Sequence, residues 1–222
     1  MDKLKLAVVI PAYNEAERLA PVLAGLKGKA DWLIVVDDAS GDQTAAVAEQ
    51  SGALVLKHLV NRGQGAALRT GTHQALALGA EIIVHFDADG QFLVSDIPAL
   101  IKPIADKQAD IVFGSRFLPK EKNQLPFFKR WLLFPLARLV NRWLLGINQS
   151  DPQIGLRAFN RAAAEGLNWR EDRMAHCSEI LALAKNWRVA EVPATVIYTR
   201  YGQGLSGGLR IIKELFLNKL SR

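Results

Sequence analysis

The residues best suited to chemistry are Asp87-Ala88-Asp89-Gly90-Gln91. In an extended segment, positions i, i+2 and i+4 share a face, so Asp87, Asp89 and Gln91 are expected to project together. Two carboxylates and an amide oxygen suit a hard divalent cation, Mg²⁺ or Mn²⁺. Such an ion is commonly shared with phosphate oxygens and neutralises charge on a departing diphosphate. A bare D-x-D is also what a solvated acidic turn looks like; its place directly after a strongly apolar run favours the metal reading. Three further polar clusters follow apolar runs: Pro11-Ala12-Tyr13-Asn14-Glu15, Asp37-Asp38-Ala39-Ser40 and Gly114-Ser115-Arg116. Tyr13 offers an aromatic face and Glu15 a carboxylate at a helix start, where an acid is favourable on dipole grounds alone. Of the adjacent acids Asp37 and Asp38, one is expected to face a ligand, where it can accept from a base N–H or ribose hydroxyls.

The glycine-rich Asn61-Arg62-Gly63-Gln64-Gly65 is not a dinucleotide fingerprint, because position 68 is Leu and the stretch does not follow the first strand. No G-x-x-x-x-G-K-[ST] occurs, which argues against a P-loop nucleotidase.

The elements that must position these groups are legible from periodicity. Apolar runs at 4–10, 33–36, 54–56, 81–86 and 110–113 read as strands. They alternate with helical patterns at 14–26, 44–50, 63–78 and 97–106. Leu19, Val22, Leu23 and Leu26 form the apolar stripe of the first helix, and Ser95-Asp96 reads as the cap of the fourth. This alternation predicts an α/β fold with a mostly parallel sheet covered by helices on both faces. In such sheets ligands bind beyond the carboxyl ends of the strands, where the four polar clusters sit. Beyond Phe117 the pattern changes. A short strand is expected at 155–159, a helix at 177–185 and an edge-like or bulged strand at 188–198 around Pro193. Residues 127–147 and 207–220 read as amphipathic helices rich in basic residues, suited equally to a membrane interface and to packing on the sheet. A single domain over 1–222 is expected, with a nucleotide-binding half (1–117) and an acceptor-facing half (118–222).

Composition bounds the function. The 222 residues are 50% hydrophobic and 23% charged, enough for a full core without staples. A single cysteine, Cys177, excludes an internal disulfide framework and a cysteine-cluster zinc site. The net charge of +6 favours anionic partners: nucleic acid, an acidic membrane face or phosphorylated substrates. The basic residues are scattered and no nucleic-acid motif occurs, so nucleic acid is set aside. No 18-residue apolar run and no signal-peptide core are present, which predicts a cytoplasmic protein, with peripheral contact on the inner membrane face through the amphipathic helices.

Taken in order, P-A-Y-N-E, V-V-D-D-A-S-G-D, the Asn61/Gly63 loop, D-A-D-G-Q, G-S-R, D-P-Q-I-G-L-R-A-F, S-E-I-L and E-V-P resemble an inverting GT-A glycosyltransferase of family 2. The likeness is to the dolichyl-phosphate mannosyltransferase and polyprenyl-phosphate glycosyltransferase branch. It covers about Leu4 to Gly208.

The resemblance implies a GDP- or UDP-linked sugar donor and a Mg²⁺ or Mn²⁺ ion. It places Pro11, Tyr13, Glu15, Val36 and Asp38 around the nucleotide. Asp87, Ala88, Asp89 and Arg116 fall at the diphosphate, and Asp89 and Gln91 at the metal. Asp151, Gln153, Gly155 and Arg157 lie near donor sugar and acceptor. Lys129 or Arg130, with Arg157 and Arg200, would meet an acceptor phosphate. Asp89, Arg116, Asp151 and Arg157 are the candidate catalytic set. Ile154 and Leu156 depart from the usual S-G-F-R, and Ala175-His176 replace a lysine that some relatives carry.

A polyprenyl phosphate is already anionic at neutral pH, so its transfer requires no strong general base. That agrees with the absence of a compelling base in the sequence. A soluble sugar or protein acceptor would require a carboxylate, with Asp151 and Glu179 as candidates. A nucleotidyltransferase would want a basic glycine-rich loop after the first strand, and a non-catalytic sugar-nucleotide sensor would not need intact acids.

Overall fold

The computed structural model describes residues 4–118 and 149–197. In chain order its elements are β1 (Leu6–Ala12), α1 (Ala16–Leu26), β2 (Trp32–Asp37), α2 (Thr44–Gln50), β3 (Leu54–Lys57), α3 (Gln64–Ala77), β4 (Ile82–His85), a short 3₁₀ turn (Val94–Asp96), α4 (Ile97–Ala105), β5 (Ile111–Ser115), β6 (Arg157–Asn160), α5 (Arg161–Gly166), α6 (His176–Leu183), a second 3₁₀ turn (Ala184–Asn186) and β7 (Val189–Pro193). The strands form one sheet in the order β3-β2-β1-β4-β6-β5-β7.

The expected parallel β-α-β units are present: β1 pairs in parallel with β2 and β4, β2 with β3, and β5 with β7. Strand β6 runs antiparallel between β4 and β5. Apolar periodicity marks a buried strand but carries no information on its direction. Strands β1 and β4 are buried along their whole length, as sheets covered on both faces require. The α1 stripe of Leu19, Val22, Leu23 and Leu26 is buried as the spacing predicts. Burial of each such side chain contributes about 1.5–3 kcal/mol.

Four local readings are corrected. Strand β1 continues through Pro11 to Ala12. Its register with β4 ends at Val9↔His85, so Pro11 pairs only with β2, and its missing donor costs nothing on the β4 side. Ser95-Asp96 does not cap α4 through a side chain. The Asp96 carboxylate instead accepts the Thr195 N–H at 2.6 Å, tying the segment after β7 to the start of α4. Helix α5 was not expected; Asn160 caps it by accepting the Ala163 N–H at 2.8 Å. The strand expected over 188–198 with Pro193 inside it is shorter: β7 ends at Pro193, although it lies at the sheet edge as its sequence suggests. No helix among the described residues is long and apolar enough to cross a membrane. The amphipathic stretches at 127–147 and 207–220 lie outside the described residues.

Candidate active site

The carboxyl ends of β1, β2, β4 and β5 open on one edge of the sheet and carry the four polar clusters. The turns after β1 and β2 are laced together. The Asn14 N–H donates to Ser40 Oγ (2.9 Å), the Gly41 N–H to Asn14 Oδ1 (2.8 Å) and the Glu15 N–H to Thr44 Oγ1 (2.8 Å). This lacing holds Asn14 at φ 55° and leaves Tyr13 exposed at the rim.

Both acids at the end of β2 are turned into hydrogen bonds with neighbouring backbone. Asp37 accepts from the Ser40 N–H (3.0 Å) and the Ser40 hydroxyl. Asp38 is buried and accepts from His58 Nδ1 (2.6 Å), the Arg62 N–H (2.9 Å) and the Gly63 N–H (2.6 Å). His58 Nε2 lies 3.0 Å from Thr70 Oγ1 on α3. Asp38 therefore organises the loop that starts α3. The sequence reading missed His58 because its partner is 20 residues away and is brought near only by the β2–β3 pairing.

The glycine-rich loop has a packing purpose. A Cβ on Gly65 would lie 2.2 Å from the Glu171 carbonyl oxygen, so only glycine lets the 169–173 segment seat on α3. Arg69 Nη2 fastens that segment to Asp172 (2.5 Å), and Trp169 Nε1 donates to the Gly65 carbonyl (3.0 Å).

The Asp87–Gln91 segment is not extended. It turns, with Gly90 at φ 74°, and Asp89 Oδ1 accepts the Gln91 N–H at 2.9 Å. The alternation argument for a shared face therefore does not apply. Asp87 and Asp89 nonetheless act on each other electrostatically. Burial, then the Asp89 charge, pushes the Asp87 carboxyl up to about 7, with Arg157 opposing. Glu15 is raised by burial, offset by its ion pair with Arg18 (2.8 Å) and reinforced by Asp89 and Asp42. Gln64 Nε2 donates to Asp87 Oδ1 at 2.8 Å. Gly155 backs the same carboxylate: a Cβ there would lie 2.3 Å from Asp87 Oδ2.

Mutually repelling, partly buried carboxylates fit a divalent cation, which would relieve that repulsion. Among the described residues no three acidic, histidine or cysteine side chains form a closed cage.

At the end of β5, Arg116 grips Asp151. Nε donates to Oδ2 (2.6 Å), Nη2 to Oδ1 (2.7 Å) and the Arg116 N–H to Oδ2 (3.1 Å). Asp151 is 1% exposed. Ser115 Oγ lies 2.5 Å from Ser150 Oγ, and Ser150 donates in turn to Glu191 Oε1 (2.8 Å), binding this corner to β7. The second base candidate, Glu179, accepts the Arg170 and Glu171 N–H groups (2.9 and 2.8 Å) and so shapes the 169–173 segment.

Arg157 was expected at an acceptor phosphate. It is instead 1% exposed, in register between His85 of β4 and Phe113 of β5. Its Nη2 lies 3.1 Å from His176 Nε2 and 3.5 Å from Cys177 Sγ, and Nε donates to the Gly155 carbonyl (3.3 Å). It is a buried cation that acts electrostatically on Asp87. Burial alone would raise the Cys177 thiol, but His176 and Arg157 outweigh it and bring the group to about 6. Burial, then Arg157 and His176, depress His85 well below the usual imidazole range, and its Nε2 lies 2.9 Å from Thr72 Oγ1. His176 is a core histidine. Pro11, Val36 and Ala88 are buried, and Gln153 Oε1 is buried without a hydrogen-bond partner among the described residues. Lys129, Arg130 and Arg200 lie outside the described residues.

A mostly parallel sheet with acids gathered at the ends of β1, β2 and β4, and an arginine at the end of β5, is the plan of a GT-A glycosyltransferase. The solved glucosyl-3-phosphoglycerate synthase of Mycobacterium tuberculosis in complex with UDP superposes with a TM-score of 0.70 at 23% identity, covering 98% of this chain and 79% of that one. Another structure of that enzyme holds Mn²⁺, UDP and phosphoglyceric acid, at TM-score 0.70 and 22% identity, covering 98% and 78%. Residues 7–167 match the profile described as Glycosyl transferase family 2, and the chain belongs to that family. The UDP-N-acetylglucosamine--dolichyl-phosphate N-acetylglucosaminyltransferase of Methanococcus voltae is 34% identical over 100% of this chain and 98% of the relative. The polyprenol monophosphomannose synthase of Mycolicibacterium smegmatis is 30% identical over 94% and 83%.

Proposed function

We propose that this glycosyltransferase moves a sugar, with inversion, from a GDP- or UDP-linked donor to a polyprenyl phosphate. The observation that carries the acceptor is the commitment of both candidate bases. Asp151 is clamped by Arg116, and Glu179 is spent on backbone N–H groups. An acceptor that arrives ionised needs neither. The names of the M. voltae and M. smegmatis relatives point the same way.

In this reading Pro11, Tyr13, Glu15, Val36 and the Asp38-ordered loop receive the nucleotide. Asp87, Ala88, Asp89 and Arg116 face the diphosphate, and Asp89 and Gln91 would hold Mg²⁺ or Mn²⁺. A bound divalent ion supplies positive charge that stabilises the departing diphosphate. Asp151 holds the Arg116 guanidinium in place, so that it need not reorganise during the reaction. Arg157 acts electrostatically on Asp87, and the acceptor phosphate falls to Lys129, Arg130 and Arg200. One domain over 1–222 carries both halves, working at a membrane face where its lipid substrate resides.

The test offers UDP- and GDP-linked sugars to purified protein with a short-chain polyprenyl phosphate, in Mn²⁺, Mg²⁺ or chelator. Metal-dependent appearance of a glycosyl phosphate lipid by mass spectrometry is expected. Failure of every donor with the lipid, alongside transfer to a soluble acceptor such as phosphoglyceric acid, would overturn the reading.

A further inference from the structure

In the sequence Gln64 is only part of a glycine-rich stretch, yet its side chain reaches from α3 to the acidic turn after β4. Its Nε2 donates to Asp87 Oδ1 at 2.8 Å. The opposite carboxylate oxygen is backed by Gly155, where a Cβ would lie 2.3 Å from Oδ2. Asp87 is thus held on one side by a donor and on the other by a close wall. Gln64 is itself well anchored as the first residue of α3. The two N–H groups before it, on Arg62 and Gly63, are held by the buried Asp38 carboxylate at 2.9 and 2.6 Å. A continuous path of short contacts therefore joins the acid at the end of β2 to the acid at the end of β4.

We propose that Gln64 is a positioning residue for the diphosphate and metal segment: it fixes the Asp87 carboxylate, through a loop registered on Asp38, in the orientation that a metal–nucleotide complex requires. Gln64 does not touch the reacting atoms. This inference rests on the metal-dependent donor reading above. A hydrogen bond to a charged group contributes on the scale of a ten- to hundredfold change in an equilibrium. That loss should appear in metal-assisted nucleotide binding and not in metal-free binding, because the rest of the nucleotide site is untouched.

The experiment titrates full-length wild type, Gln64→Met and Gln64→Ala with UDP and with GDP by calorimetry, in Mn²⁺ and in chelator, and records melting temperatures. Methionine keeps the length of the side chain without the donor, and alanine is the strongest helix former at that position. The expected result is a gain in affinity on adding Mn²⁺ that is about ten- to a hundredfold smaller in both variants, with chelator affinities and melting temperatures near wild type. An unchanged Mn²⁺ gain in either folded variant overturns the role of Gln64 and leaves the proposed function standing. Equal losses in Mn²⁺ and chelator overturn it as well, since they mark a general defect in nucleotide binding. Wild type without any Mn²⁺ gain overturns the metal reading and this inference together.

Discussion

Replacing Asp151 by asparagine separates a clamp from a catalytic base. In the folded protein both carboxylate oxygens are engaged by Arg116, through Nε (2.6 Å), Nη2 (2.7 Å) and the backbone N–H (3.1 Å). Asparagine keeps one acceptor oxygen, loses the charge and turns an NH₂ group toward the guanidinium. Removing one partner of a fully buried pair costs about 3–5 kcal/mol. Arg116 is 20% exposed and reaches water at its edge, so the cost here is about 2–3 kcal/mol. For a chain of 222 residues that lowers the melting temperature by roughly 5–10 °C. The assay pairs thermal unfolding by circular dichroism with turnover measured well below the transition. A catalytic base behaves differently: its loss lowers kcat by about 10²–10⁴ and leaves the fold alone. Asp151→Asn melting within about 1 °C of wild type, with turnover reduced by such a factor, would refute the clamp.

Two further outcomes are expected. Gly155→Ala introduces a Cβ 2.3 Å from Asp87 Oδ2, so Asp87 must move. Gly155 is not among the glycines with positive φ, so the backbone accepts alanine, and the cost falls on packing, about 1–3 kcal/mol, and on Mn²⁺-assisted nucleotide binding, about tenfold. Calorimetry on the folded variant checks this, and an unchanged Mn²⁺ gain would show that Asp87 needs no fixed wall. Asp110 is held at about 2, against an ordinary 3.8, foremost by hydrogen bonds from Arg188, with burial opposing. A depressed carboxyl in the folded state contributes stability that is complete above pH 3.8 and lost as pH falls toward 2. Because Arg188 is 59% exposed, solvent screens much of the contribution. Urea unfolding at stepped pH should show Asp110→Asn with a flatter acid limb than wild type, and parallel limbs would discount the pair.

Local patterns were legible in the chain; long-range pairings were not. Polar residues after apolar runs located Asp38, Asp87 and Arg116 just past strand ends and Glu15 at the start of α1, where ligands bind in such sheets. The α1 stripe was readable for the same reason, since four residues at helical spacing form one face. The fate of Arg157 was not readable. The resemblance puts it at an acceptor phosphate, and only the insertion of β6 between β4 and β5 buries it against His176 and Cys177. The Asp38–His58 and Gln64–Asp87 contacts join residues 20 and 23 positions apart and depend on how the loops after β2, β3 and β4 converge. The shared-face argument for Asp87, Asp89 and Gln91 failed because Gly90 turns the chain, a step that strand periodicity does not anticipate.

In the proposed reaction the acceptor brings its own negative charge. The most direct measurement gives purified protein one active nucleotide sugar and either a short-chain polyprenyl phosphate or the matching polyprenol, over a range of pH. Product is expected from the phosphate alone, at a rate that rises with ionisation of the phosphate near pH 6 (about its second pKa). Efficient transfer to the alcohol, or a rate that follows a protein carboxylate instead of the phosphate, would contradict it.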